Sequence, residues 1–101
     1  MKILDNYTDG LLRHVTTAYV VLRSDADHIK PPMSFAKACD EFKMACVNAW
    51  NEAGNRHLSI ESYEDGGVTY IQMDAAFRAG HPVEFFGTRY QMWRCQLALV
   101  Q

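Results

Sequence analysis

The sequence lacks any apolar run approaching the roughly 18–20 residues that cross a lipid bilayer. Its first ten residues, MKILDNYTDG, contain two acids and no long apolar stretch, so they do not resemble a secretory signal. Net charge is also small, because 10 Lys and Arg residues face 12 Asp and Glu residues. A net charge of -2 argues against binding to nucleic acid through a broad positively charged surface. These absences predict a soluble globular protein with no membrane partner.

Motifs for nucleotide, metal or nucleophile chemistry are missing as well. There is no G-x-G-x-x-G and no Walker-type loop, and Gly66-Gly67 follow two acids that would repel a phosphate. Cysteines and histidines show no C-x-x-C or H-x-x-x-H spacing, and no nucleophile elbow is present. We therefore predict no catalytic residue, no metal site and no cofactor. A thiol nucleophile at Cys95, assisted by His57 or His81, is the enzymatic alternative.

Cysteine is scarce, and its count of three is odd. Cys39 and Cys46 lie two turns apart on a predicted helix, about 10 Å along its axis, which is too far for a disulfide. Unpaired thiols are typical of a reducing compartment, so we expect a cytoplasmic protein. The length of 101 residues predicts one domain, 1–101, with one hydrophobic core.

The clearest element is a helix between Ser34 and Gly54. Ser34 suits the N-cap because its hydroxyl can accept a bond from a first-turn amide. Gly54 suits the position after the last turn because it adopts a left-handed conformation without strain. The apolar residues recur at steps of four and three and form one stripe: Phe35, Cys39, Phe42, Cys46, Ala49 and Ala53. The rest of the fold must cover this stripe.

The segment GLLRHVTTAYVVLR, ending at Arg23, fits two patterns. Its apolar residues cluster on one helical face, whereas the β-branched residues from Val15 to Val21 favour a strand. We give the periodicity more weight and predict a helix, joined to the next by a proline-containing linker over residues 24–33. Residues 1–9 are expected to be frayed or to pair at a sheet edge.

After Gly54 the hydrophobic period changes to two. Residues 58–63 and 68–73 both alternate and flank Glu64-Asp65-Gly66-Gly67, which predicts a hairpin turning at Asp65-Gly66 or Gly66-Gly67. The short segment from Asp74 to Gly80 is expected to make one helical turn.

A second hairpin is predicted near the C-terminus. Residues 83–86 and 89–100 form its strands, the turn lies at Gly87-Thr88, and Phe85 pairs with Tyr90. The alternative is a C-terminal helix capped by Thr88. The predicted class is α+β, with two helices followed by an antiparallel sheet of three to four strands, in two layers.

A two-layer domain leaves one sheet face toward solvent. On the first predicted hairpin that face carries Glu61, Tyr63, Val68 and Tyr70, and tyrosine is favoured at protein interfaces. The alternative is that residues 83–100 or the first predicted helix pack over this face and make it a second core layer. We therefore predict a small regulatory or inhibitory module that occupies the surface of another protein. The partner is a host protein or a second copy in a homodimer. Accessory proteins of phages and mobile elements are often of this kind.

The alternative function is single-stranded nucleic-acid binding by the sheet. Arg56, Arg78, Arg89 and Arg94 lie among several aromatic residues in the C-terminal half, a combination typical of single-strand recognition. Acidic residues of the same half cancel these arginines, and the ribonucleoprotein-type sheet signature is absent. We therefore rank this function second.

Overall fold

The structure is a computed structural model that describes residues 12–56 and 59–100. The expected edge pairing of residues 1–9 lies outside the described residues, as does Leu58 of the first predicted hairpin. A single 3₁₀ turn, Ile60–Ser62, follows the longer helix. The other described elements, in chain order, are β1 (Leu12–Arg23), α1 (Phe35–Glu52), β2 (Glu64–Asp65), β3 (Val68–Thr69), α2 (Tyr70–Arg78), β4 (Val83–Phe85) and β5 (Thr88–Val100).

The main sheet has three antiparallel strands in the order β1-β5-β4. β5 is the central strand, and it pairs with β1 from Arg23 opposite Tyr90 to Leu12 opposite Val100. β4 covers only the start of β5, since its last pair joins Val83 to Tyr90. β2 and β3 form a separate two-residue ladder. The predicted α+β class with an antiparallel sheet is confirmed.

Helix α1 forms as its sequence predicts. The Ser34 hydroxyl accepts a hydrogen bond from the Lys37 amide at 3.1 Å, which satisfies one of the free first-turn donors. Gly54 ends the helix with a φ of 85°, a conformation that glycine adopts without steric cost. The middle of the predicted stripe is buried, since Cys39, Phe42 and Cys46 are at most 5% exposed, whereas Phe35 and Ala53 at its ends are exposed.

The core centres on Phe42 of α1, which is fully buried. Its ring stacks on Phe77 of α2 with centroids 4.3 Å apart, and meets Tyr90 of β5 edge-on at 5.3 Å. Tyr70 of α2 lies on the same ring at 6.0 Å. One side chain of α1 therefore contacts both α2 and the sheet, and both helices lie against one face of that sheet.

The prediction of a helix ending at Arg23 is wrong, because residues 12–23 are strand β1. The β-branched run from Val15 to Val21 has the χ1 preference that suits a strand and loses freedom in a helix. Pairing with β5 along almost its whole length then satisfies the β1 backbone. The sheet is therefore built from both ends of the described chain, with the helices between, and does not simply follow two helices.

The first predicted hairpin is correct only at its turn. Gly66 and Gly67 both have positive φ and connect two-residue strands, with Asp65 opposite Val68. The predicted strand over residues 68–73 is wrong beyond Thr69, because α2 begins at Tyr70. Thr69 and Gln72 form a capping box, and the helix buries residues three and four apart along one face: Tyr70, Met73 and Phe77.

Two further details differ from prediction around α2. Asp74 was expected to cap a single turn, but it lies inside α2 and Thr69 is the cap. Gly80 does end the helix, with a φ of 87°. The other half of the predicted hairpin is also not a strand, since Ile60–Ser62 form the 3₁₀ turn capped by Ser59.

The second predicted hairpin forms, and the alternative C-terminal helix is wrong. Its turn lies one residue earlier than predicted, at Phe86-Gly87, so Val83 pairs with Tyr90 and Phe85 with Thr88. Phe86 therefore has an unusual φ of 48° for a bulky residue. Its amide donates to the Asp65 carboxylate at 2.8 Å, and this bond with the β2–β3 hairpin stabilises the strained turn.

The β1–β5 ribbon extends beyond the helix-packed core. Tyr90 and Met92 of β5 belong to the buried core, and none of the described side chains after Met92 does. A 12-residue strand is roughly 40 Å long, and the chain measures 56 × 24 × 18 Å. The radius of gyration is 16.8 Å, against about 13 Å for a compact chain of this length.

The substitution Phe42→Ala tests the central role of this ring. We expect a loss of about 3–5 kcal/mol in the free energy of unfolding, because the cavity would separate α1 from both α2 and β5. Met44→Ala, on the half-exposed side of the same helix, is the control and should change stability by no more than about 0.5 kcal/mol. Urea denaturation followed by circular dichroism measures both, and equal losses would contradict this description of the core.

Candidate functional site

Within residues 12–56 and 59–100, no group of three or more His, Cys, Asp and Glu side chains is placed to hold a metal ion. None of the described helices is long and apolar enough to cross a membrane. The groove between α1 and α2 has a volume of about 450 Å³ and is open. Charges of both signs line it: Asp40, Lys43, Glu61, Asp74 and Arg78.

The four residues of the predicted interface differ in exposure. Tyr63 and Tyr70 lie close together, since the Tyr70 amide donates to the Tyr63 carbonyl at 2.9 Å. Tyr70 is only 4% exposed, because it is the first residue of α2 and turns into the core, so the expected exposed pair of tyrosines is wrong. Tyr63 is half-buried and lies edge-on to Trp50 and Phe85. Val68 is exposed in β3.

Glu61 belongs to the groove between the helices. Its carboxylate accepts a hydrogen bond from the Ser59 hydroxyl at 2.8 Å and lies 3.4 Å from the Lys43 ammonium. The Ser59 bond and the Lys43 charge lower the pKa of this carboxyl. The Glu61 carboxylate therefore contacts Ser59 and Lys43 at the surface. These contacts do not include Tyr63 or Val68.

The four arginines of the alternative function do not form one patch. Arg89 and Arg94 are five residues apart on β5, so their side chains lie on opposite faces of the sheet. Arg78 and Arg94 line the same small groove of about 250 Å³ beside Tyr19. Arg78 is paired there with Asp74 at 2.9 Å, and Arg56 lies beyond the end of α1.

The cysteines differ sharply in accessibility. Cys39 and Cys46 are buried in α1, and burial raises the pKa of both thiols, that of Cys46 to about 12. Cys95 on β5 is half-buried. Within the described residues no hydrogen bond joins Cys95 to a histidine; His57, one of its two expected partners, lies outside them.

The two faces of the main sheet follow from its register. Residues that pair directly across an antiparallel ladder share a face, and neighbours along a strand alternate. Val83, Tyr90 and Met92 pack on the helices, so they and their partners form the inner face. The remaining residues of the three strands form what we name the outer face, listed here over its described side chains: Thr16, Ala18, Val20, Leu22, Glu84, Arg89, Gln91, Trp93, Cys95 and Leu97.

The outer face is apolar and has no helix on it. Val20 pairs with Trp93, whose side chain is 59% exposed, and Ala18 pairs with Cys95. From Leu22 to Leu97 the face carries no charged residue, since Glu84 and Arg89 lie together at the β4 end. Ala18 is buried, its apolar neighbours are half-buried, and none of the described helices covers them: Val20, Leu22, Cys95 and Leu97.

Sequence analysis predicted a strand over residues 89–100 but not the surface that Trp93, Cys95 and Leu97 form with β1. The missing half is Val20 and Leu22, which were assigned to a helix. The signal that identifies them is the β-branched run of β1, read together with the length of β5, since a strand of that length needs a long partner.

Comparison of the chain with protein-family models, with curated proteins and with solved structures gives no significant match. Its function is therefore argued from its own residues.

The difference among the cysteines predicts a single reactive thiol in the native protein. We expect Ellman's reagent near neutral pH to modify Cys95 and to leave Cys39 and Cys46 unmodified until denaturant is added, because burial excludes the reagent and disfavours their thiolates. A Cys95→Ser variant is the control and should show no fast phase. Rapid reaction of two or three thiols in the folded wild-type protein would contradict the described core.

Proposed function

We propose that this protein is a small regulatory or inhibitory module that binds another protein through the outer face of its sheet. The observation that supports the proposal is the apolar, helix-free surface around the pair of Val20 and Trp93. Large apolar patches on small proteins are typical of interaction sites, and tryptophan is enriched among the residues that dominate binding energy.

The proposal keeps the predicted function but assigns it to a different surface. A two-layer domain leaves one face of its sheet free, and the helices cover only the inner face here. Tyr70 is not part of the proposed binding surface, because it is buried. Tyr63 packs edge-on against Phe85. The described side chains of the outer face include several apolar residues and one charged pair, a composition suited to an apolar protein surface.

The cysteines of this protein indicate the kind of compartment in which it acts. The three cysteines are all unpaired, which is typical of proteins in a reducing compartment. These cysteines support the proposal that the module acts in the cytoplasm.

The substitution Trp93→Thr tests the proposed surface. Threonine keeps the preference for a strand, so only the cross-strand contact with Val20 is lost, at about 0.2–1 kcal/mol of stability. We expect immobilised wild-type protein to retain a specific binding protein, identified by mass spectrometry, and the variant to lose it. Circular dichroism and thermal unfolding establish that the variant is folded.

Ile71→Thr is the matched control, because Ile71 on α2 is 60% exposed, almost the same as Trp93. This variant should bind like the wild type. If the control abolishes binding and Trp93→Thr does not, the groove between α1 and α2 is the site and the outer face is not. If no protein binds to the wild type in any extract, the proposal fails.

A further inference from the structure

We propose that a second copy of the chain pairs antiparallel with the edge of β5 that none of the described strands occupies, so that the two sheets join and their outer faces lie side by side. This inference goes beyond the proposed function, because pairing at the edge leaves the outer face uncovered. It has two supports: the direction of the β5 backbone groups and the composition of the strand.

The direction of the backbone groups follows from one bridge. The Tyr19 amide donates to the Met33 carbonyl at 2.7 Å, and the Met33 amide donates to the Tyr19 carbonyl at 2.8 Å. Both polar groups of Tyr19 therefore point away from β5, and its pair with Arg94 is of the non-hydrogen-bonded type. The amide and carbonyl of Arg94, and those of Gln96 two residues later, must then point to the opposite edge of β5.

That edge has no partner among the described residues. β4 pairs with β5 only as far as Tyr90. The loop after α2 approaches as far as Met92, where a Cβ on Gly80 would lie 3.8 Å from the Met92 carbonyl oxygen. From Trp93 onward, none of the described strands lies on this side of β5, and none of them pairs with the backbone groups of Arg94 and Gln96.

β5 also lacks the devices that protect an edge strand. From Tyr90 to Val100 it contains no proline, no glycine and one charged residue, Arg94. A two-stranded ribbon without a covering layer is only marginally stable in water, whereas added strands stabilise it. Beyond Met92 the β1–β5 ribbon is a two-stranded ribbon of this kind. A second copy of the chain would add two more strands to it.

A second copy fits this edge because a strand can pair antiparallel with itself about a two-fold axis, the commonest symmetry of soluble oligomers. An axis at Gln96 places Arg94 opposite Ala98 of the second copy and avoids two arginines facing each other. It also places Cys95 opposite Leu97 of the second copy, so that the two apolar outer faces continue into one four-stranded face.

The substitution Gln96→Pro tests the edge directly. Its amide points to the free edge, so proline removes a bond of the proposed interface and leaves the β1–β5 ladder intact. Sedimentation equilibrium over a dilution series should give the wild type a mass of twice 11.5 kDa. We expect Gln96→Pro to weaken dimerisation by at least about tenfold, and the control Gln96→Thr to dimerise like the wild type. Circular dichroism establishes that both variants fold.

The outcomes separate this inference from the proposed function. A wild type that is monomeric throughout the series overturns the dimer, and the Trp93→Thr binding experiment still decides the proposed function. A dimer that Gln96→Pro leaves intact overturns the edge pairing. If Gln96→Pro does not fold, a bismaleimide cross-link between the Cys95 thiols of two copies decides, and its absence in a concentrated wild-type sample overturns the inference.

Discussion

The fold depends on the stacking of aromatic rings around Phe42. Because its ring lies 4.3 Å from Phe77 and 5.3 Å from Tyr90, it fixes the positions of both helices against one face of the sheet at once. Tyr70 completes the cluster and brings the start of α2 into it. Large rings fill this space with few rotatable bonds, so a small domain obtains a rigid centre without a disulfide.

This one-sided packing decides where function can lie. Helices that meet at Phe42 cannot also cover the outer face, and the sheet is longer than the layer that packs on it. The short β4 then leaves most of β5 without a neighbouring strand on that side among the described residues. The apolar outer face and the edge of β5 without a described partner have one cause. The elements α1, α2 and β4 contact only the start of the long β1–β5 ribbon.

The sequence predicts those elements whose conformation depends on residues close to them in the chain. Helix α1 was predictable because Ser34, Gly54 and the apolar stripe all lie within it. Strand β1 was not, because its conformation depends on pairing with residues at the other end of the described chain. Helix α2 was misread because residues 68–73 fit a period of two, although the box of Thr69 and Gln72 signalled a helix start. The burial of Tyr70 was missed for the second of these reasons, because Tyr70 is the first residue of α2.

The pairing of β1 with β5 also determines when the molecule can fold. A ribosome completes β1 first and β5 last, so the first strand emerges before any described strand that pairs with it. Contacts between residues so distant in sequence form slowly, because the intervening chain must close a long loop before any ladder bond forms. During synthesis the apolar β-branched residues of β1 remain exposed, and that interval is when a chaperone or a neighbouring nascent copy would encounter them.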